Sequence, residues 1–277
     1  MESALIGIFD SGVGGLSILR EIRKLLPQVP ILYFADQAHV PYGSRPMAEV
    51  RLFAEEIAHF LIHQGSELIV VACNTASAAA LHRLRTAFPH IPFIGMEPAV
   101  KPAAITSRTQ KVGVLATPAT FQGELFASVV ERFAHGVDIF EQTLPGIVEK
   151  VENMELDNPD TRAILSEALQ PLLDQGIDTL VLACTHYPFV LPIIEEIVGP
   201  DVLVIDPAPA IARQTQRVWR QLFPHNQKSQ SSHIRFFSTG DPGKLVSAAQ
   251  QLIQQDGIGE KAKWIDSRIR IKSDDWQ

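Results

Sequence analysis

Only two cysteines occur in the 277 residues, and they sit in matching surroundings. ELIVVACNTASAAALHRL (67–84) and DTLVLACTHYPFVLPII (178–194) each run from an acidic residue through an apolar stretch to Ala-Cys, then to polar residues and a helical pattern. A single cysteine in such a place is commonly a small buried hydrophobe. Two of them at equivalent points of a repeated unit, 111 positions apart, point to a shared task for Cys73 and Cys184. A thiol at a helix N-terminus is where a thiolate is stabilised, and a free thiol with a pKa of about 8.5 needs modest help to work near neutrality. Two thiols on opposite sides of a small molecule could take a proton from one face of a carbon and deliver one to the other, inverting that centre. In reverse their roles exchange. Near-attack geometry puts the sulfurs on the order of 7 Å apart, too far for a disulfide.

Other thiol chemistry fits less well. Two cysteines make no disulfide scaffold, and the spacing is neither C-x-x-C nor that of a zinc cluster, so no metal is expected. A thiol hydrolase needs one Cys-His pair and has no use for the second cysteine. The hard step of inversion beside a carboxylate is the weak acidity of the Cα–H. A pyridoxal cofactor would solve it through a Lys Schiff base, but no Lys ends a strand beside a phosphate-binding turn, so the expectation is a cofactor-free site. Such a site relies on donors to the developing charge, and Ser11, Asn74, Thr75 and Thr185 are the candidates.

Three further segments carry small polar residues to strand ends. Asp10-Ser11-Gly12-Val13-Gly14-Gly15 holds three glycines, which allow φ > 0 or a close backbone approach; it matches neither G-x-G-x-x-G nor a P-loop. A plain strand-to-helix turn is the competing reading. Ala116-Thr117-Pro118-Ala119-Thr120 opens a helix, with Thr117 and Thr120 as candidate binding residues or simple capping residues. The loop Asp36–Ser44, containing Pro41, Tyr42 and Gly43, could close over a site. GDPGK (240–244) reads as an ordinary turn, and HNQKSQSSH (225–233) as a surface loop.

These segments need strands and helices to carry them. Strands are expected at 5–9, 31–35, 68–72, 92–96, 111–116, 137–142, 178–183, 202–206 and 234–238. Leu16, Leu19, Ile22 and Leu26 recur on one face of a first helix; 161–175 is a second amphipathic run, with Pro171 as a kink or break. Apolar strands separated by helices predict an α/β fold with mainly parallel sheets, and ligands then bind beyond the strand C-termini. GIFDSGVGGL (7–16) and GVLATPATFQ (113–122) share a plan at an offset of 106, close to that of the cysteine motifs. Two pseudo-symmetric lobes are therefore expected, with the active site in the cleft between them: 1–97 in lobe one, 98–207 in lobe two, and 208–277 returning to lobe one. From Gly259 the chain reads as a polar, aperiodic tail.

Composition narrows the field. A formal charge of -7 without clustered Lys or Arg argues against nucleic acid or an anionic membrane as partner. No apolar run suits a membrane span, and the opening residues lack a basic stretch followed by an apolar one, so a cytoplasmic location is expected.

GIFDSGVGG, the PYG turn, VVACNTAS and VLACTHYP closely resemble the signature segments of the bacterial glutamate racemases, in the aspartate/glutamate racemase superfamily. The resemblance extends from Gly7 to about Gly257. It implies two α/β lobes around a cleft, conversion of L-glutamate to D-glutamate for peptidoglycan synthesis, and often a homodimer. It carries Cys73 and Cys184 over as proton donors and acceptors, with Asp10 assisting Cys73 and His186 assisting Cys184. It also carries over Asp10, Ser11, Pro41, Tyr42, Gly43, Asn74, Thr75, Thr185 and His186 as substrate-binding positions. A third acid matches Glu152 in LPGIVEKVE, with Glu149 competing and Leu144 standing where the family often has Cys. Racemisation of aspartate or another acidic amino acid, and a non-enzymatic binding module, are the alternatives; the second leaves the paired cysteines unexplained.

Overall fold

The computed structural model describes residues 4–224 and 233–271. Among them eleven strands form two sheets. In chain order the first half gives β1 (Leu5–Asp10), α1 (Leu16–Leu25), β2 (Ile31–Ala35), α2 (Met47–His63), β3 (Ser66–Val71), α3 (Asn74–Ala87), β4 (Phe93–Gly95) and α4 (Val100–Thr106). The middle gives β5 (Lys111–Ala116), α5 (Pro118–Gln122), α6 (Glu124–Phe133), β6 (Asp138–Gln142), α7 (Ile147–Glu152), α8 (Pro159–Asp174), β7 (Thr179–Ala183), α9 (Leu191–Val198) and β8 (Leu203–Ile205). Last come α10 (Ala208–Leu222), β9 (Ile234–Ser238), α11 (Pro242–Ile253), β10 (Ile258–Ile265) and β11 (Arg268–Ile271).

The larger sheet has the order β11-β10-β9-β2-β1-β3-β4 and the smaller β6-β5-β7-β8, with all pairs parallel except β10–β11. The predicted α/β fold is the one adopted. The four-strand pattern β2-β1-β3-β4 recurs as β6-β5-β7-β8, so β3 and β7 hold equivalent places, as do β1 and β5. In each sheet the chain leaves the first strand to one side and returns on the other, which creates a switch point at the strand C-termini, where α/β sheets bind ligands. Register lines these ends up: Asp10 pairs with Ala35, Phe9 with Val71, and Ala116 with Ala183.

β1, β2, β3, β5 and β7 are apolar on both faces because helices cover both. Leu16, Leu19, Ile22 and Leu26 are buried as the helical spacing required. They join one apolar cluster that continues through Val148, Val151, Leu182 and Tyr187 of the smaller sheet's side. The sheets are thus packed together behind the strand ends.

Each predicted strand exists, with ends displaced by a residue or two. Two expectations need correction. Pro171 neither breaks nor ends α8, because it lies in the last turn, where its missing N–H removes a single bond. The tail from Gly259 is not aperiodic: β10 adds to β9, and β11 returns antiparallel. An edge hairpin buries little, here Ala262 and Ile269, so its apolar alternation is too thin to read in sequence. The segment 225–232 and residues 272–277 lie outside the described residues.

Candidate active site

Cys73 follows β3 as the N-cap of α3, and its Sγ accepts the Ala76 N–H at 3.4 Å. Cys184 follows β7, with Sγ 3.8 Å from His186 Nδ1. Both thiols are free, and exposure is only 5% and 7%. Asp10, Ser11, Asn74, Thr75, Thr117, Thr120, Thr185 and His186 are buried too, and Asp10 lies 3.4 Å from Thr185 and Thr75 2.9 Å from Thr117, so polar residues from both sheets' strand ends meet.

The Cys184 side is an ordered chain. His186 Nε2 is 2.8 Å from Glu152 Oε1; a carboxylate cannot donate, so Nε2 carries the proton and Nδ1 faces the sulfur. Glu152 also accepts the Val13 N–H at 2.7 Å and Gln37 Nε2 at 3.3 Å. Burial raises the Glu152 carboxyl, but His186, Val13 and Gln37 outweigh it and hold the group below the ordinary range. Burial likewise pushes the His186 imidazole down, yet Cys184 and Glu152 together lift it well above its ordinary value. Of the two competing acids, Glu152 is the one that reaches His186. Glu149 instead lines a cavity of about 240 Å³ with Pro41, Gly43, Thr117, Leu144 and Tyr187.

The Cys73 side is different. Asp10 Oδ2 accepts the Gly15 N–H at 2.7 Å and lies 3.4 Å from Thr185 Oγ1, while buried Oδ1 has no partner. Burial raises the Asp10 carboxyl despite the nearby His186. Burial, and then the Asp10 carboxylate, push the Cys73 thiol well up; the Ala76 N–H opposes them. The expected poise near neutrality at this helix start is therefore corrected. One backbone donor does not offset removal from water and a neighbouring negative charge. Asn74 is 4% exposed, and neither its amide oxygen nor its nitrogen has a partner. Buried polar atoms left so are costly and rare.

The three glycines after β1 have a use that the sequence left open. Gly12, Gly14 and Gly15 do not need positive φ. Two of them let the turn press against the smaller sheet's side, since a Cβ on Gly12 would overlap the Glu152 carboxylate and one on Gly14 would sit 2.5 Å from His186 Nδ1, while Gly15 packs on Asp10 and Tyr33 of its own sheet. Thr75 of α3 lies 2.9 Å from Thr117 and 3.3 Å from Thr120, and those two are 2.9 Å apart, so three hydroxyls join across the sheets. Thr117 is also the N-cap of α5.

The loop read as a possible cover is firmly tied. Asp36, fully buried, accepts from Tyr42 Oη at 2.7 Å, Thr239 Oγ1 at 2.8 Å and Trp264 Nε1 at 2.8 Å, with His39 Nδ1 at 2.8 Å. Tyr42 thus spends its hydroxyl on Asp36, and Gly43 is the residue that packs on Thr117. Pro41 borders the cavity. Sequence reasoning missed Gln37, Asp36 and Trp264 as supports of the site; none has a motif, and only Asp36 and Gln37 fell in a segment already singled out. GDPGK supplies a helix cap, with Asp241 accepting from Gly243 and Lys244. Among the described residues no group of His, Cys, Asp and Glu is placed to hold a metal, and no helix is long and apolar enough to cross a membrane.

The Asp/Glu/Hydantoin racemase family matches residues 12–215. A glutamate racemase from a Roseiflexus species is 51% identical over 89% of this chain and 91% of its own. The solved glutamate racemase from Bacillus anthracis has a TM-score of 0.85 at 30% identity, covering 97% of this chain and all of that one. The one from Francisella tularensis, solved in complex with D-glutamate, has a TM-score of 0.81 at 30% identity, over 93% and 96% of the two chains. With similarity of this extent along nearly its whole length, the chain belongs to the Asp/Glu/Hydantoin racemase family, beside its glutamate racemases.

Proposed function

We propose that this isomerase interconverts L- and D-glutamate without a cofactor, with Cys73 and Cys184 as the two proton-transfer groups. One observation supports the reading: the only two cysteines stand at equivalent strand ends of a four-strand order that both sheets share, both buried and close enough to act on one another. Unpartnered Asp10 Oδ1 and the Asn74 amide suit an α-amino acid, the first accepting from an ammonium, the second donating to a carboxylate. One thiolate removes the Cα proton while the opposite thiol supplies the other face, and donors from Asn74, Thr75 and Thr185 stabilise the developing charge. A substrate ammonium beside Asp10 would also relieve the charge that keeps Cys73 a thiol. Glutamate as substrate rests on the relatives, one of them solved with D-glutamate. In this reading the two sheets are the cores of two lobes parted near residues 97 and 207, and the product D-glutamate goes to peptidoglycan synthesis in the cytoplasm. The protein's partner is the substrate, and by the resemblance to the family it forms a homodimer.

The test is turnover of L-glutamate in deuterated water with no added cofactor. Inversion with deuterium at Cα of the D product supports the proposal. Folded, reduced protein that neither exchanges nor inverts glutamate would refute it, and turnover of aspartate alone would move the substrate.

A further inference from the structure

Gln37 is the second residue of the loop after β2, and its side chain runs between Ser238 of the same sheet and Glu152 of α7. At the end of β9, Ser238 Oγ accepts the Gly240 N–H at 2.8 Å and so has its own proton free for Gln37 Oε1, 2.7 Å away. On the other side the Glu152 carboxylate can only accept, so the amide NH2 faces it, with Nε2 3.3 Å from Oε2, and the amide oxygen is left for Ser238. Gly240 makes room: a Cβ there would fall 2.8 Å from Gln37 Cβ. Among the described residues, Gln37 is the donor to Oε2, while the Val13 N–H and His186 share Oε1. Donors thus run from the Gly240 N–H through Ser238 and Gln37 to Glu152, which accepts on its other oxygen from His186, the residue beside Cys184.

We propose that Gln37 is a positioning residue for the Glu152–His186 arm, oriented by Ser238 so that its amide locks the second carboxylate oxygen and keeps the first on His186. It rests on the reading of His186 and Cys184 as one arm of the proton-transfer site. A carboxylate held at both oxygens cannot rotate, and rotation would break the 2.8 Å contact that keeps the imidazole facing the sulfur. Donation also favours ionised Glu152, which in turn favours protonated His186. The other titratable groups facing this pair are Asp10 at the end of β1, Tyr33 on β2 and Cys184 after β7. None of them donates to Oε2.

Gln37→Leu keeps most of the volume and removes the donor. In the full chain, the His186 imidazole titration followed by NMR should have its midpoint lowered by at least about half a pH unit. kcat should fall about tenfold with KM within about twofold, and the alkaline limb of kcat should move to lower pH. Ser238→Ala, which frees the amide to turn, should shift the midpoint the same way by less. An unmoved midpoint in folded Gln37→Leu, or lost activity with an unmoved limb, overturns the proposal. If Gln37→Leu does not fold, an unmoved midpoint in Ser238→Ala overturns it. The titration needs no substrate, so wild-type protein inactive on glutamate would sink the proposed function without deciding Gln37.

Discussion

Replacing Gly14 with alanine adds one methyl group at the point where the two sheets' strand ends meet. The new Cβ would lie 2.5 Å from His186 Nδ1 and 2.6 Å from Thr185 Oγ1. Unstrained contact needs about 3.5 Å, so the imidazole or the turn must give by about 1 Å. Neither has slack. Glu152 holds the ring at 2.8 Å, and Ser17 Oγ, donating to the Thr185 carbonyl at 3.0 Å, holds the backbone. The backbone at Gly14 is not in the left-handed region, so alanine brings no conformational strain and the effect is the collision alone. Overpacking of this kind costs about 1–3 kcal/mol of stability. A displacement of about 1 Å at a proton-transfer group costs on the order of 100-fold in rate. The assay is initial racemisation rates from each enantiomer, beside thermal unfolding. The expected result is a folded protein, less stable by a few degrees, with kcat/KM down on the order of 100-fold. The loss must be the same from both sides, because enantiomers in water are equal in energy. A folded Gly14→Ala with kcat/KM within about threefold of wild type would refute the claim that close approach, rather than chain flexibility, explains this glycine.

Cys73→Ser and Cys184→Ser should each lower net racemisation about 1000-fold or more while leaving the unfolding temperature nearly unchanged, since a hydroxyl is a far weaker acid–base group than a thiol; full activity in either sinks the two-thiol mechanism. Glu152→Gln tests the ion pair through stability. His186 is raised above 6.5, so its contribution is complete below that pH and is lost as pH rises through the folded value; Glu152 is depressed below 4.5, so its contribution is present above that pH and lost as pH falls through the folded value. The wild-type unfolding temperature should therefore gain from the pair between about pH 4.5 and 6.5 and decline above it; in Glu152→Gln that alkaline decline should flatten, and an unchanged pH profile would count against the pair. Trp264→Phe removes a donor from buried Asp36 and should cost about 1–2 kcal/mol in denaturant unfolding, with KM raised severalfold as the Tyr42–Gly43 turn loosens. Unaltered stability and KM would show that the remaining donors suffice to hold the loop.

Much of this protein is written in local patterns, and those are legible one segment at a time. Apolar runs of five or six residues between amphipathic stretches determined the alternation of strands and helices, and the repeat of Ala-Cys at two strand ends placed the cysteines in equivalent positions. The parallel sheets follow because such strands must be covered on both faces. The thin alternation of β10 and β11 escaped notice because an edge hairpin gains little burial and so leaves little pattern.

What tertiary structure alone decided is how segments far apart in sequence act on one another. Val13 and Glu152 meet across 139 positions, and Gln37 and Glu152 across 115. The contact of Glu152 rather than Glu149 with His186, the use of Gly12 and Gly14 as room for the side chains of Glu152, Thr185 and His186, and the role of Asp36 as an anchor for Trp264 and Tyr42 all depend on such meetings. The rise of the Cys73 thiol does too: a helix start predicts a lowered value, but burial and Asp10 reverse it. Residue type and spacing report what a side chain is able to do. Its charge state, orientation and partners are sums over whatever packs around it, and that environment exists only once the chain has folded.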